Sequence, residues 1–265
     1  MRGRYRSRPT PEASTTEAAL EAMDADGLRA LLREMMPWFD DVLYARFVNA
    51  LVDRATRTAS GWAPKAPDSA QVVEIQEFAE AAKRCGYAEP SDVDAYLRQG
   101  ANAFLAKDYA TAFQVFRALL IPAGHGEFHL GQHEMIDEVL GISPATCAAQ
   151  YVVSMYMTAT PKNRGKAVLS AIDEIQCIGY FWGPLRELER VAVEPLPDLD
   201  DFLVQWKALV EERVLRGRTS EWDSHEDHWL REVLLRTQGP TGLAEVARAS
   251  KRANDLWAWC RALVE

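Results

Sequence analysis

The sequence predicts an all-α protein made of antiparallel helical hairpins stacked side by side, as an α-solenoid or a less regular helical array. Three observations carry that expectation. Apolar residues recur three and four positions apart along most of the chain. Helix-starting Ser, Asp and Pro and helix-stopping Gly and Pro punctuate those stripes at short intervals. Two stretches of similar length, 93–120 and 144–176, each read as a pair of short helices.

In chain order, residues 1–20 hold Arg2, Arg4, Arg6 and Arg8, then Pro9, Pro11 and a Ser-Thr-Thr run, a composition that reads as a disordered basic tail. Asp24 or Asp26 starts a helix with Leu28, Leu31, Leu32, Met35 and Met36, broken by Pro37. From Phe39, the series Leu43, Phe47 and Leu51, widened by Val42, Val48 and Val52, gives a helix with one broad apolar face and a charged opposite face, to about Arg54. Residues 56–68 are a loop bearing two prolines and a glycine. Asp68 or Ser69 starts the next helix, through Val72, Ile75, Phe78, Ala79 and Ala82, and Gly86 closes it.

The first hairpin follows, opened by Pro90-Ser91-Asp92 and hinged at Lys107-Asp108. Its first helix sets Tyr96, Leu97, Phe104 and Leu105 around a notch of small residues at Gly100 and Ala103, where a second helix packs closely. Its second helix carries Ala112, Val115, Phe116, Leu119 and Leu120 on a single stripe, with Asp108 as cap and Pro122 as terminator. The second hairpin opens with Ser143-Pro144. Cys147, Ala148, Tyr151, Val152, Met155 and Tyr156 fill its first helix; Pro161 starts the second, with Val168, Ala171, Ile172 and Ile175.

Residues 191–201 form an acidic linker in which two prolines forbid a helix. Asp198 or Asp200 then caps a helix from Phe202 to Val214, broken at Gly217. The stripe resumes at Trp229, Leu230, Val233 and Leu234; Pro240 begins a short helix, and Asp255 caps the last, Leu256 to Val264. The expected domains are a tail at 1–20, a helical-repeat domain at 21–190 and a C-terminal helical subdomain at 198–265.

The first hairpin resembles a tetratricopeptide repeat. Tyr96 and Gly100 stand at that family's aromatic and small positions in the first helix, and Asp108-Tyr109 followed by Ala112 and Phe116 matches its turn and second helix. The likeness covers residues 93–122, and Ala103 departs from it by standing where an aromatic is usual. It implies a solenoid whose concave face binds another protein or a peptide. Candidate partner-binding residues are Tyr96 and Asn102, with Phe181 and Trp182 from the aromatic turn Gly179–Pro184. The apolar last helix, with Trp257, Trp259 and Leu263, fits either a homo-oligomer contact or an array awaiting its next unit.

Composition narrows the function classes. A formal charge of −9, from 39 acidic and 30 basic residues, disfavours a general nucleic-acid binder, which needs a basic face to displace counterions; an arginine arm at residues 2–8 is the local exception. Cys85, Cys147, Cys177 and Cys260 form no CxxC pair, which fits a reducing cytoplasm. No apolar run approaches a membrane span of ~20 residues.

The densest polar chemistry is the glycine-rich stretch 123–134. His125, His129 and His133, with Glu134 or Asp137, supply the donors that zinc or another divalent ion takes. Gly124, Gly126 and Gly131 interrupt any continuous helix there, so spacing alone does not bring those donors together. His225 and His228 stand at an acidic helix start. Nucleotide-binding, nucleophile-elbow and zinc-protease signatures are missing, and Asp40-Asp41 and Asp200-Asp201 lack the further acid of a metal–diphosphate motif. The expectation is a binding scaffold without catalysis or cofactor. The alternative is an all-helical metal protein or enzyme using loop 125–134.

Overall fold

The computed structural model describes residues 11–58, 61–131, 136–179, 181–217 and 223–264. Residue contacts divide the chain into two compact units, Met1–Tyr44 and Ala45–Glu265. The regular structure among the described residues is helical, and the sole β-like feature there is an isolated parallel bridge between Tyr87 and His129.

In the first unit, α1 (Pro11–Ala22) occupies residues for which the sequence predicts an unordered tail; its Thr-Thr-Glu-Ala-Ala-Leu-Glu-Ala run consists mostly of good helix formers. The arginine arm at residues 2–8 lies outside the described residues. Helix α2 (Ala25–Met35) starts at Asp24, whose carboxylate accepts from Gly27 N at 2.7 Å, and passes into a tight turn at Met36–Trp38 around Pro37. Helix α3 (Asp41–Arg57) begins in this unit, and its residues from Ala45 onward belong to the second.

The second unit continues with α4 (Ser69–Cys85), α5 (Pro90–Leu105), α6 (Tyr109–Gly124), the short α7 (Ile136–Val139), α8 (Pro144–Thr158) and α9 (Arg164–Glu174). It closes with α10 (Pro184–Val191), α11 (Leu199–Gly217), α12 (His225–Ser250) and α13 (Ala253–Ala262). Local chemistry sets the boundaries. Asp68 and Gln71 form a reciprocal capping box on α4, and Gly86 ends that helix in the left-handed conformation at φ 70°. Asp108 caps α6 through Thr111 N, and Ser143 caps α8 through Thr146 N, with Pro144 in its first turn.

Helix α6 is the centre of the core. It packs against α4, α5 and α8, and Ala112, Val115, Phe116, Leu119 and Leu120 are buried along it. Its approach to α5 is close at the predicted notch: a Cβ on Gly100 would stand 2.9 Å from a Phe116 ring carbon and 3.0 Å from a Val115 methyl. Packing then passes from α8 to α9, from α9 to α11, from α11 to α12 and from α12 to α13. The expected C-terminal helical subdomain, 198–265, lies within the second compact unit, Ala45–Glu265.

Three boundaries differ from the expectation. Pro122 lies inside α6, which runs on to Gly124; so close to the helix end, a missing amide hydrogen costs a single bond. Pro161 opens a tight turn at Pro161–Asn163, and α9 starts only at Arg164. Asp255 does not cap α13: the helix starts after Arg252, and Asp255 is buried in its first turn, bound to Arg231 and Ser250. Within α12, Gly239 leaves helical geometry at φ 62°, and Pro240 begins a new helical segment as its fixed φ favours. No helix among the described residues is long and apolar enough to cross a membrane.

Candidate functional site

The second unit contains a cleft of about 800 Å³ between α3, α5 and α8, bordered by the 140–143 loop and the end of α10. Each wall follows from helical spacing. On α3, Arg46, Asn49, Asp53 and Arg57 recur at three- and four-residue steps and share the polar face of the amphipathic helix. On α5, Arg98 and Asn102 lie one turn apart, and on α8 Thr146 and Gln150 do the same. Ser143, the α8 cap, places the positive end of that helix at the rim.

The lining carries Arg46, Arg57, Arg98 and Arg190 with Asp53, in a chain of net charge −9, and three of these arginines are ion-paired, to Asp53, Asp94 and Glu187. These arginines are not equivalent. Arg57 is committed to structure, held by Asp53 at 2.9 Å while donating to the Val191 and Ala192 carbonyls at 2.9 and 3.0 Å, which ties α3 to the C-terminal end of α10. Arg190 pairs with Glu187. Arg98 is fixed from two sides. It donates through Nη2 to Asp94 at 2.5 Å and through Nε to Asn49 Oδ1 at 2.9 Å, and buried Asp94 in turn accepts from Ile142 N at 2.6 Å. Arg46 is exposed at the cleft edge, with a long 3.5 Å contact to the Glu138 carbonyl.

Two amides in this lining are unsatisfied. Arginine only donates, so the bond from Arg98 assigns the Asn49 oxygen and leaves its Nδ2 as a buried donor, which has no partner among the described residues. Gln150 is 4% exposed, and its Oε1 is likewise buried without a partner. Each such group costs ~1–3 kcal/mol, so two on neighbouring walls of one cleft call for a reason. Gln99 Oε1, Trp206 Nε1 and Arg252 Nε are also unpartnered, but none of them lines this cleft.

Of the residues expected to bind a partner, Asn102 lines the cleft. Tyr96 is half-buried, packed on Phe78 with its hydroxyl donating to Glu74 at 3.0 Å. Phe181 is buried and its carbonyl accepts from Trp229 Nε1. Trp182 is 53% exposed, with the rings of His225 and His228 edge-on at 4.8 and 5.0 Å. These four residues do not converge on one site.

The histidine loop is only partly described: His133 and Glu134 lie outside the described residues. His125 follows α6 as its exposed cap. His129 is pinned to the α4–α5 connection through its backbone, and its Nδ1 accepts from Gly131 N at 3.0 Å. Among the described residues no group of three or more His, Cys, Asp or Glu side chains is placed to hold a metal ion.

Comparison with protein-family models, with curated proteins and with solved structures gives no match, so the cleft is interpreted from its own chemistry.

Proposed function

We propose that this chain is a helical scaffold, tetratricopeptide-like in its central hairpins, that binds a segment of another protein or a peptide and has no catalytic role of its own. One observation supports this most: α5 and α8, the first helices of the two hairpins, line the same cleft and present Arg98, Asn102 and Gln150 into it. The packing order α5, α6, α8, α9 sets each helix on the next, as stacked hairpins require. The cleft volume falls within the ~300–1,000 Å³ of ordinary ligand sites, large enough for a few residues of an extended chain. Such an occupant meets recognition groups on fixed helices rather than on loops, so little ordering entropy opposes binding.

The test is selection from a phage-displayed peptide library on the immobilised full chain and, in parallel, on an Arg46→Ala, Asn102→Ala variant whose helical circular dichroism matches the parent. A consensus enriched by the parent and lost by the variant is expected. Enrichment that is equal on both, or absent from both, overturns the assignment of the cleft as the binding face.

A further inference from the structure

We propose that the cleft recognises an uncharged amide, as a peptide main chain offers, with Asn49 Nδ2 donating to its carbonyl oxygen and Gln150 completing the amide's hydrogen bonds. This deepens the scaffold reading and rests on the same site.

The charges around the cleft are engaged within the fold. Arg57 is paired with Asp53, Arg98 with Asp94 and Arg190 with Glu187. Arg46, at the exposed edge, has contacts of its own, the Glu138 carbonyl among them. An ion entering this cleft therefore gives up its hydration without gaining a free counter-charge, a cost that an uncharged amide largely escapes.

What the cleft has left is amide chemistry. Asn49 is fixed as a donor: Arg98 Nε occupies Asn49 Oδ1 at 2.9 Å, and Arg98 is itself held by Asp94, which accepts from Ile142 N at 2.6 Å. That chain of bonds leaves Asn49 Nδ2 as a buried donor with no partner among the described residues. The acceptor it calls for is a carbonyl oxygen. Gln150, 4% exposed on α8, also lines the cleft, and its side-chain oxygen is buried with no partner among the described residues. Its amide can turn over to present either the oxygen or the NH2, so it accommodates an occupant's N–H or its carbonyl and does not choose between them. A secondary amide, with one N–H and an oxygen carrying two lone pairs, meets Asn49 and Gln150 in either setting. Asn49 is thus the residue that selects, because an occupant with no acceptor leaves its donor buried and unpaired.

Magnetic resonance of the isotope-labelled full chain reads the contact directly, at the side-chain amide signal of Asn49, which is assigned by its loss in Asn49→Asp. Four probes are titrated: acetylated, amidated trialanine, N-methylacetamide, acetate and methylammonium. The two amides are expected to shift the Asn49 signal saturably at millimolar concentration, and the two ions to leave it in place. Asn49→Asp keeps an oxygen for Arg98 and removes the donor, so calorimetry is expected to show the tripeptide binding about tenfold more weakly, in line with one lost buried hydrogen bond. The proposal is overturned by an Asn49 signal that neither amide moves or that acetate moves equally, and by tripeptide affinity that is unchanged in Asn49→Asp. The scaffold reading is judged separately. Tripeptide affinity about tenfold or more above that of N-methylacetamide supports a chain segment as occupant, through further contacts along a preformed cleft; a smaller gain sinks that reading and leaves a site for a small amide. Tripeptide binding that leaves the Asn49 signal unmoved sinks the amide assignment and leaves the scaffold reading standing, with its occupant seated elsewhere.

Discussion

The cleft and the C-terminal hairpin both concentrate charged and polar side chains, but they differ in how completely those groups are used. Around α12 and α13, Arg231 bridges Asp223 and Asp255 at 2.5 and 2.7 Å, and Arg252 bridges Asp223 and Asp227 at 2.9 and 2.8 Å. Ser250 adds a bond to Asp255, and the Ser224–Asp227 capping box closes the start of α12. Only Arg252 Nε is left over there among the described residues. In the cleft, by contrast, Asn49 Nδ2 on α3 and Gln150 Oε1 on α8 are buried with no partner among the described residues. Burying a charge costs so much that a network must be nearly complete to survive in a fold, whereas an unsatisfied amide is tolerable where something else repays it. The comparison separates polar groups that build the molecule from polar groups held in readiness.

The sharpest way to break that contrast is to open the network. Asp255→Ala leaves Arg231 half-paired in a buried setting, and chemical denaturation is expected to show a loss of about 3 kcal/mol or more. A loss under 1 kcal/mol would mean that the C-terminal charges are no more structural than those of the cleft. Next in size is Arg98→Met, which strands buried Asp94 and the Asn49 oxygen and is expected to cost about 2 kcal/mol. An unchanged midpoint would show that Asp94 relies on Ile142 N alone. Gly100→Ala comes third, at about 1–2 kcal/mol, because its Cβ meets the Phe116 ring and Val115 on α6. A neutral result would mean that α5 and α6 separate readily.

The smallest effect is a pH dependence. Partial burial, with the charge of Arg231 beside it, lowers the pKa of His228 from the usual 6.5 despite the opposing pull of Asp223 and Asp227. A base with a depressed folded pKa favours folding above its unfolded value and loses that contribution as protons bind. Stability is therefore expected to slip as pH falls below about 6.5, and less so in His228→Gln. Asp223 is also lowered, its burial outweighed by Arg231 and Arg252, and acts only below the ordinary carboxylate value of 3.8. Thermal melts at pH 7 and pH 5.5 measure the difference, and identical slopes in the parent and His228→Gln remove His228 from the account.

The all-helical character was legible because periodicity and caps act locally. Asp68, Asp108 and Ser143 cap the helices they were expected to cap, and the Gly100 notch receives Phe116. Asp255 was misread because an acid beside a helix start is a cap by sequence alone, and its partner Arg231 lies 24 residues away. The cleft was harder to see. From sequence, α3 showed only an apolar face and a charged opposite face, since nothing local shows that α5 and α8 face Arg46, Asn49 and Asp53. One signal was present in the sequence: Gln150 and Ser154 are polar interruptions on an otherwise apolar helix. Ser154 is satisfied by the Gln150 carbonyl, and the Gln150 side-chain oxygen has no partner among the described residues.

The direct test of that reservation is the stability of Gln150→Leu against the parent in urea, without added ligand. Leucine fills a similar volume and removes the unsatisfied oxygen, so the variant is expected to be more stable by about 1 kcal/mol with an unchanged denaturant slope. A loss of 1 kcal/mol or more would show that Gln150 supports the fold, and would contradict the claim that the cleft keeps it for a ligand.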